Sequence, residues 1–275
     1  MKILVAAESG SIHATRFVSM LQDLGHEVRL FLCEQWYWQE EHLHGTTIYV
    51  AFPTARNAPT NANTLIVTYP EERAVPSGGG AYERMREAAE RDNAGRPRSL
   101  ELAGVLGRFR PDVVISCKMQ SEGYTVAETK ERMGAAFPCP WIHFCWGTDI
   151  EFFGKHPDYA GEHRPRIEHA LSRCDFLFAD TRRDLREARS FGFRGEVLGS
   201  FLAHGGFSLK RLEALRRKAP ARRDVILVKG RQGGYVGHAM NILAALEAMP
   251  DRLRGYRVMV MMATPDVVEH AKGPG

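Results

Sequence analysis

The chain lacks most features that identify a protein at a glance, and each gap excludes something. Its five cysteines, Cys33, Cys117, Cys139, Cys145 and Cys174, contain no Cys-x-x-Cys pair. They sit in or beside segments that read as strands, which fits reduced, packed thiols rather than a metal site or a disulfide framework. No apolar run reaches the roughly 18 residues of a spanning helix, and the chain opens with a strand rather than a basic-then-apolar leader. A cytoplasmic location is the expectation. An excess of one charge is also lacking: 37 Lys and Arg against 33 Asp and Glu leave a net +4, a slight lean toward anionic partners that does not single out nucleic acid, and none is expected. Neither a Gly-Lys-Ser/Thr triplet nor a clean Gly-x-Gly-x-x-Gly occurs, so the two common phosphate fingerprints are absent.

What is present is strand-helix alternation. At 275 residues and 44% hydrophobic content the chain exceeds one ordinary domain, and one large domain plus part of another is the natural division. The apolar run Lys2 to Ala7 breaks at Glu8-Ser9-Gly10-Ser11 and passes into an amphipathic segment from Ile12 to Leu24 that Gly25 stops. Glu27 to Leu32 follows as a second strand. This βαβ opening places Gly10, Ser11 and His13 at a helix N-terminus, where free amides suit a phosphate or another polar ligand; taken alone, the turn reads equally as tight packing.

Further strands are expected at Thr47–Phe52, Leu65–Tyr69, Asp112–Ser116, Trp141–Cys145 and Phe176–Ala179. Helices are expected at Tyr82–Arg91, Leu100–Phe109, Glu122–Met133, Glu162–Arg173 and from Asp180-Thr181 to Ser190. Such alternation predicts a mostly parallel sheet covered on both faces, with ligands beyond the carboxyl ends of the strands. Lys118 to Gly123 and Trp146 to Asp149 fall at such ends. Asp149 either receives ligand hydroxyls or caps the next turn. His13 and His143 are candidate acids or bases, although His143 in an apolar strand reads first as a core residue. His42 and His44 are spaced for a strand and have no evident third ligand, so no metal is expected.

Composition changes near residue 207. Lys210, Arg211, Arg216, Arg217, Lys218, Arg222 and Arg223 form a basic run over 208–223 that reads as an exposed linker helix. A fresh unit then begins with the strand Asp224–Lys229, the glycine-rich loop Gly230–Gly237, the helix His238–Ala248 and the strand Arg257–Met262, with Thr264-Pro265 opening one more helix. Lys229, Gly230, Arg231 and Gly233 make a loop whose amides and cations suit a diphosphate.

Taken in order, four segments resemble the family-four glycosyltransferases of the GT-B fold: the Gly10-Ser11-Ile12-His13 turn, Trp146-Gly147-Thr148-Asp149-Ile150, Arg173 to Thr181, and Val225 to Leu246. The resemblance implies two Rossmann-like domains, an acceptor-side one over 1–207 and the beginning of a donor-binding one over 224–275. It also implies transfer of a sugar from a nucleoside-diphosphate donor with retention at the anomeric carbon and no cofactor. Asp149 and His143 would then be catalytic, Lys229, Gly230, Arg231 and Gly233 donor-binding, and Gly10, Ser11 and His13 the acceptor-side loop. The implied partners are a nucleotide sugar and a glycan, lipid-linked or small-molecule acceptor, with peripheral membrane contact as an option.

Three positions depart from the pattern. Trp146 stands where the family has histidine, Val236 where a lysine is usual, and no Glu-x7-Glu pair occurs. The expectation is therefore either a fragment of a longer protein or an incomplete donor site. The alternatives are a nucleotide-sugar epimerase of the same fold or a noncatalytic binding or assembly subunit.

Overall fold

The computed structural model describes residues 1–8, 11–33, 43, 45–50, 65–68, 73–74, 79–93, 95–203, 209–216, 223–233 and 237–272. The expectations for Gly10, His42, His44 and the 234–236 stretch of the glycine loop lie outside these residues. The chain divides into two compact units, Met1–Gly206 and Phe207–Gly275.

The first unit contains β1 (Lys2–Ala7), α1 (Ile12–Asp23), β2 (Glu27–Leu32), β3 (Thr47–Val50), β4 (Leu65–Thr68), β5 (Arg73–Ala74), α2 (Gly79–Asn93) and α3 (Arg98–Phe109). It continues through β6 (Val113–Cys117), α4 (Tyr124–Met133), β7 (Trp141–Cys145), α5 (Glu151–Lys155), α6 (Pro157–Arg173), β8 (Phe176–Ala179), α7 (Arg182–Ser190) and β9 (Glu196–Ser200). The strands form one nine-stranded sheet in the order β5-β4-β3-β2-β1-β6-β7-β8-β9. Every pairing is parallel except β4 with β5 at one edge.

Period-two alternation distributes each strand between two cores. Ile3, Val5 and Ala7 of β1 pack with Ala14, Phe17 and Val18 of α1, whereas Leu4 and Ala6 pack with α3, α4 and α6 through Leu102, Leu106, Val126 and Ile167. Trp141 and Cys145 of β7 lie on the latter face and Phe144 on the former. The α3/α4 face carries half-buried polar groups as well. Lys130 of α4 is 2.7 and 2.6 Å from the two carboxylate oxygens of Asp175, and Asp175 also accepts the Trp141 amide at 2.9 Å, which ties the helix to the ends of two strands. Gly195, entering β9, has no room for a side chain: a Cβ there would lie 2.2 Å from the Asp175 carbonyl oxygen.

Helix ends follow local chemistry. Ser11 caps α1 by accepting the Ala14 amide, and Gly25, at φ +83, ends it. Thr181 accepts the Asp184 amide and donates to its carboxylate at 2.6 Å, opening α7. The helix expected from Glu122 begins differently: Met119–Gly123 is an irregular winding in which Gln120 is extended and Ser121 sits at φ 70, ψ −65.

The second unit contains α8 (Leu209–Leu215), β10 (Val225–Lys229), β11 (Gln232–Gly233), β12 (Gly237–His238), α9 (Ala239–Glu247), β13 (Arg257–Met261) and α10 (Pro265–Lys272). β10 and β13 pair in parallel, β11 and β12 antiparallel. Ala239, Leu243 and Val267 form its small core, with Val260 packed against them. Leu227, Met259 and Met261 are exposed. Among the described residues, no helix is long and apolar enough to cross a membrane.

Candidate functional site

The sheet order reverses between β1 and β6: β2 to β5 extend to one side of β1, and β6 to β9 extend to the other. In open parallel sheets the carboxyl ends at such a reversal part the crossing loops and leave a crevice, where ligands bind. Glu8 follows β1 there and Lys118 follows β6. Their charges meet across the reversal, with Lys118 Nζ 3.6 Å from Glu8 Oε2. Lys118 holds φ 79, an uncommon conformation for a residue with a side chain and of a kind that collects at functional sites.

The N-terminal turn of α1 adds Ser11 and His13 at the same edge. Ser11 Oγ accepts the Ala14 amide at 3.4 Å. His13 is exposed, with its ring edge-on to Trp146 at 6.2 Å between centroids. Trp146 in turn meets Phe144 edge-to-face at 5.9 Å, so the ring that replaces the expected histidine is held by the core below it. The Trp146–Asp149 turn is closed from two sides: Gly147, at φ 57, offers its carbonyl to Arg183, which also reaches Glu151 at 2.8 Å.

Asp149 and His143 point inward rather than to the edge. Asp149 is 4% exposed, and its Oδ2 accepts the Trp146 amide at 2.8 Å. Its carbonyl oxygen accepts from Gln120 Nε2 at 2.7 Å, so Asp149 bridges the loops after β6 and β7. Burial pushes its carboxyl up to about 7 against the opposing pull of the Trp146 amide and the Lys118 charge. His143 is fully buried, and that burial pushes its imidazole down to about 3. Its Nδ1 lies 2.8 Å from Ser116 Oγ, which also accepts Trp141 Nε1–H at 2.9 Å.

The glycine-rich loop of the second unit separates its candidates. The Gly230 amide donates to the Met261 carbonyl at 2.7 Å, and a Cβ there would lie 2.5 Å from Val260. Gly230 thus serves close strand-to-turn packing, and its amide is not open to a phosphate. Gly233 pairs with Gly237 in the β11–β12 ladder. Lys229 shares the exposed face of β10 with Leu227, whereas Arg231 lies past the strand end and is exposed. Sequence reasoning named the turn that Glu8 opens and the segment holding Lys118 and Gln120 without choosing those residues, and it missed Arg183. The usable signal was their position just past a strand end.

No protein-family model and no curated protein sequence matches the chain. Solved structures do. The UDP-GlcNAc 2-epimerase from Neisseria meningitidis, bound to UDP-GlcNAc, matches with a TM-score of 0.54 and 12% identity over 99% of this chain and 68% of that one. The UDP-N-acetylglucosamine 2-epimerase from Rickettsia bellii gives 0.50 at 12% identity, over 100% of this chain and 65% of that one. This likeness is one of fold: α/β, GT-B-like, with a Rossmann-like parallel sheet. The expectation of a retaining glycosyltransferase is overturned, because the two structures just named are epimerases sharing the GT-B scaffold with those transferases. Scaffold motifs such as the Trp146–Asp149 segment report the shared fold and do not separate the two chemistries.

Proposed function

We propose that this chain is part of, or is itself, an enzyme acting on a nucleotide sugar, with the chemistry of a 2-epimerase on a UDP-N-acetylhexosamine. The observation carrying this reading is the match along 99% of the chain to an epimerase whose structure holds UDP-GlcNAc. The reversal between β1 and β6 supports it, because the N-terminal turn of α1 and Lys118 together offer amides and a cation to an anionic ligand. Inversion at C2 by solvent exchange takes a proton from one face and returns one to the opposite face, the electron pair left at C2 being taken up as the neighbouring C1–diphosphate bond opens and given back as it re-forms. Two titratable groups are therefore needed, and among the described residues Glu8 and His13 stand at this edge as candidates. In the second unit the diphosphate contact falls to Arg231 rather than Lys229, since it stands past the strand end and offers a planar fork to phosphate oxygens.

The test is incubation with UDP-GlcNAc in deuterium oxide, followed by proton NMR. The expected result is loss of the sugar H2 signal through solvent exchange and appearance of the C2 epimer, both reduced at least tenfold in Lys118→Ala. Calorimetric binding of UDP-GlcNAc without exchange would leave a binding protein and overturn the epimerase chemistry. Absence of both binding and exchange would overturn the nucleotide-sugar reading.

A further inference from the structure

Apart from the edge just described, the molecule holds a buried constellation that the nucleotide-sugar reading does not use. Strand alternation puts His143 and Cys145, two residues apart on β7, on the same face of the sheet. The turn through Gly147 then folds Asp149 back onto the end of the same strand. One ligand atom from each of the three lies within 4.8 Å of the others, and all three residues are buried. We propose that His143, Cys145 and Asp149 form a binding site for a borderline transition-metal dication, zinc foremost.

The donor set favours this class. One imidazole, one thiolate and one carboxylate are zinc's ordinary ligands, whereas magnesium and calcium prefer oxygen alone. With bonds of about 2.0–2.3 Å, a tetrahedral zinc draws its ligand atoms to about 3.3–3.8 Å from one another. A closest set within 4.8 Å therefore has to close by at most about 1–1.5 Å. Charge also balances: thiolate and carboxylate together offset a dication, so the site is neutral when filled, as a buried site must be.

A second observation is independent of the clustering. His143 Nε2 is buried and makes no hydrogen bond among the described residues, while Nδ1 is occupied by Ser116 Oγ at 2.8 Å. A buried imidazole nitrogen without a partner is uncommon in a native core. Metal-bound histidines typically donate through the other ring nitrogen to an oxygen that fixes tautomer and orientation. Ser116 Oγ is placed for that task. Asp149 is fixed in the same manner, because the Trp146 amide holds its Oδ2 at 2.8 Å. Metal here would pin the Trp146–Asp149 turn to the end of β7.

The experiment uses the whole chain without a histidine tag, expressed with zinc supplementation, assayed by elemental analysis and then, after chelation, by cobalt(II) titration. About one zinc per chain is expected, with a thiolate-to-cobalt charge-transfer band that Cys145→Ser abolishes. Ser116→Ala should weaken metal affinity 10–100-fold without removing the band. If Cys145→Ser does not fold, the band and its competition against a chromophoric chelator in the wild-type chain decide the matter. Zinc well below stoichiometry together with no cobalt band overturns the site, as does a band that survives in folded Cys145→Ser. Neither readout depends on nucleotide-sugar turnover.

Discussion

Ser116→Ala is the sharpest probe of the buried polar layer beneath β7. The Ser116 hydroxyl is fully buried and meets two partners, Trp141 Nε1 at 2.9 Å and His143 Nδ1 at 2.8 Å. Removing it strands both, in a core where no water replaces the lost oxygen. Each buried group left unsatisfied costs about 1–3 kcal/mol, so the expected loss is about 2–5 kcal/mol, far above that of removing one exposed oxygen. For a unit of this size about 2–4 °C accompanies each kcal/mol, which gives a drop in Tm of roughly 4–20 °C. The measurement is urea unfolding of chelator-treated protein followed by tryptophan fluorescence and circular dichroism, so that metal binding does not enter. Trp141→Phe and the double variant complete a cycle. Their coupling should be about 1 kcal/mol in the sense that the second change costs less once the first is made. A Ser116→Ala protein within about 0.5 kcal/mol of wild type would refute the reasoning, as would strictly additive changes.

Gly195→Ala should cost at least about 1–3 kcal/mol in thermal unfolding, because its Cβ would meet the Asp175 and Cys174 carbonyl oxygens at 2.2 and 2.7 Å, and backbone cannot step aside as a side-chain tip can. Gly230→Ala should loosen the β10–β13 pair through its clash with Val260 and Ala263, read as faster amide exchange in those strands while exchange in the large sheet stays unchanged. Burial pushes the Glu101 carboxyl above its ordinary value, against the pull of Arg98 at 2.7 Å. Because the folded value is the higher, its favourable contribution is complete below the ordinary carboxylate range and fades as pH rises through the folded value. Glu101→Gln should therefore gain on wild type in denaturant unfolding as pH is raised from about 4 to 7, and parallel profiles would show that Glu101 does not titrate as argued.

Strands with both faces buried were the most legible part of the chain. Lys2–Ala7, Glu27–Leu32, Trp141–Cys145 and Phe176–Ala179 were expected at the bounds the structure gives, because runs of branched and aromatic residues between turns have few other solutions. β9 escaped because it begins on Glu196, contains Gly199 and shifts register against β8, which removes both alternation and apolar continuity. α6 starts at Pro157 rather than Glu162 and carries Pro165 inside; His156 as cap with proline in the first turn was the available sign. The winding at Met119–Gly123 had no sign, since nothing marks Ser121 for positive φ. At the site, strand ends were readable, and side-chain direction was readable inside the strands but not in the turns that follow them. His143, read first as a core residue from its place in an apolar strand, is buried; Asp149 was marked by its place past a strand end, and only the fold shows that it faces inward.

The reversal at β1 also has a timetable. β1 pairs with β2 through partners about 25 residues away, Lys2 with Glu27, but its other side waits for Val113, which pairs with Ile3. On a ribosome adding about 5–20 residues per second, roughly 5–20 s separate the emergence of these two partners. During that interval the central strand of the finished sheet is an open edge with an apolar face on each side, the condition under which strands recruit wrong neighbours. Asp112 sits at the moment of closure, its carboxylate receiving the Lys2 amide at 2.7 Å at the foot of the incoming strand. A chain paused before residue 113 should be the form that chaperones hold, and release should follow once β6 is out.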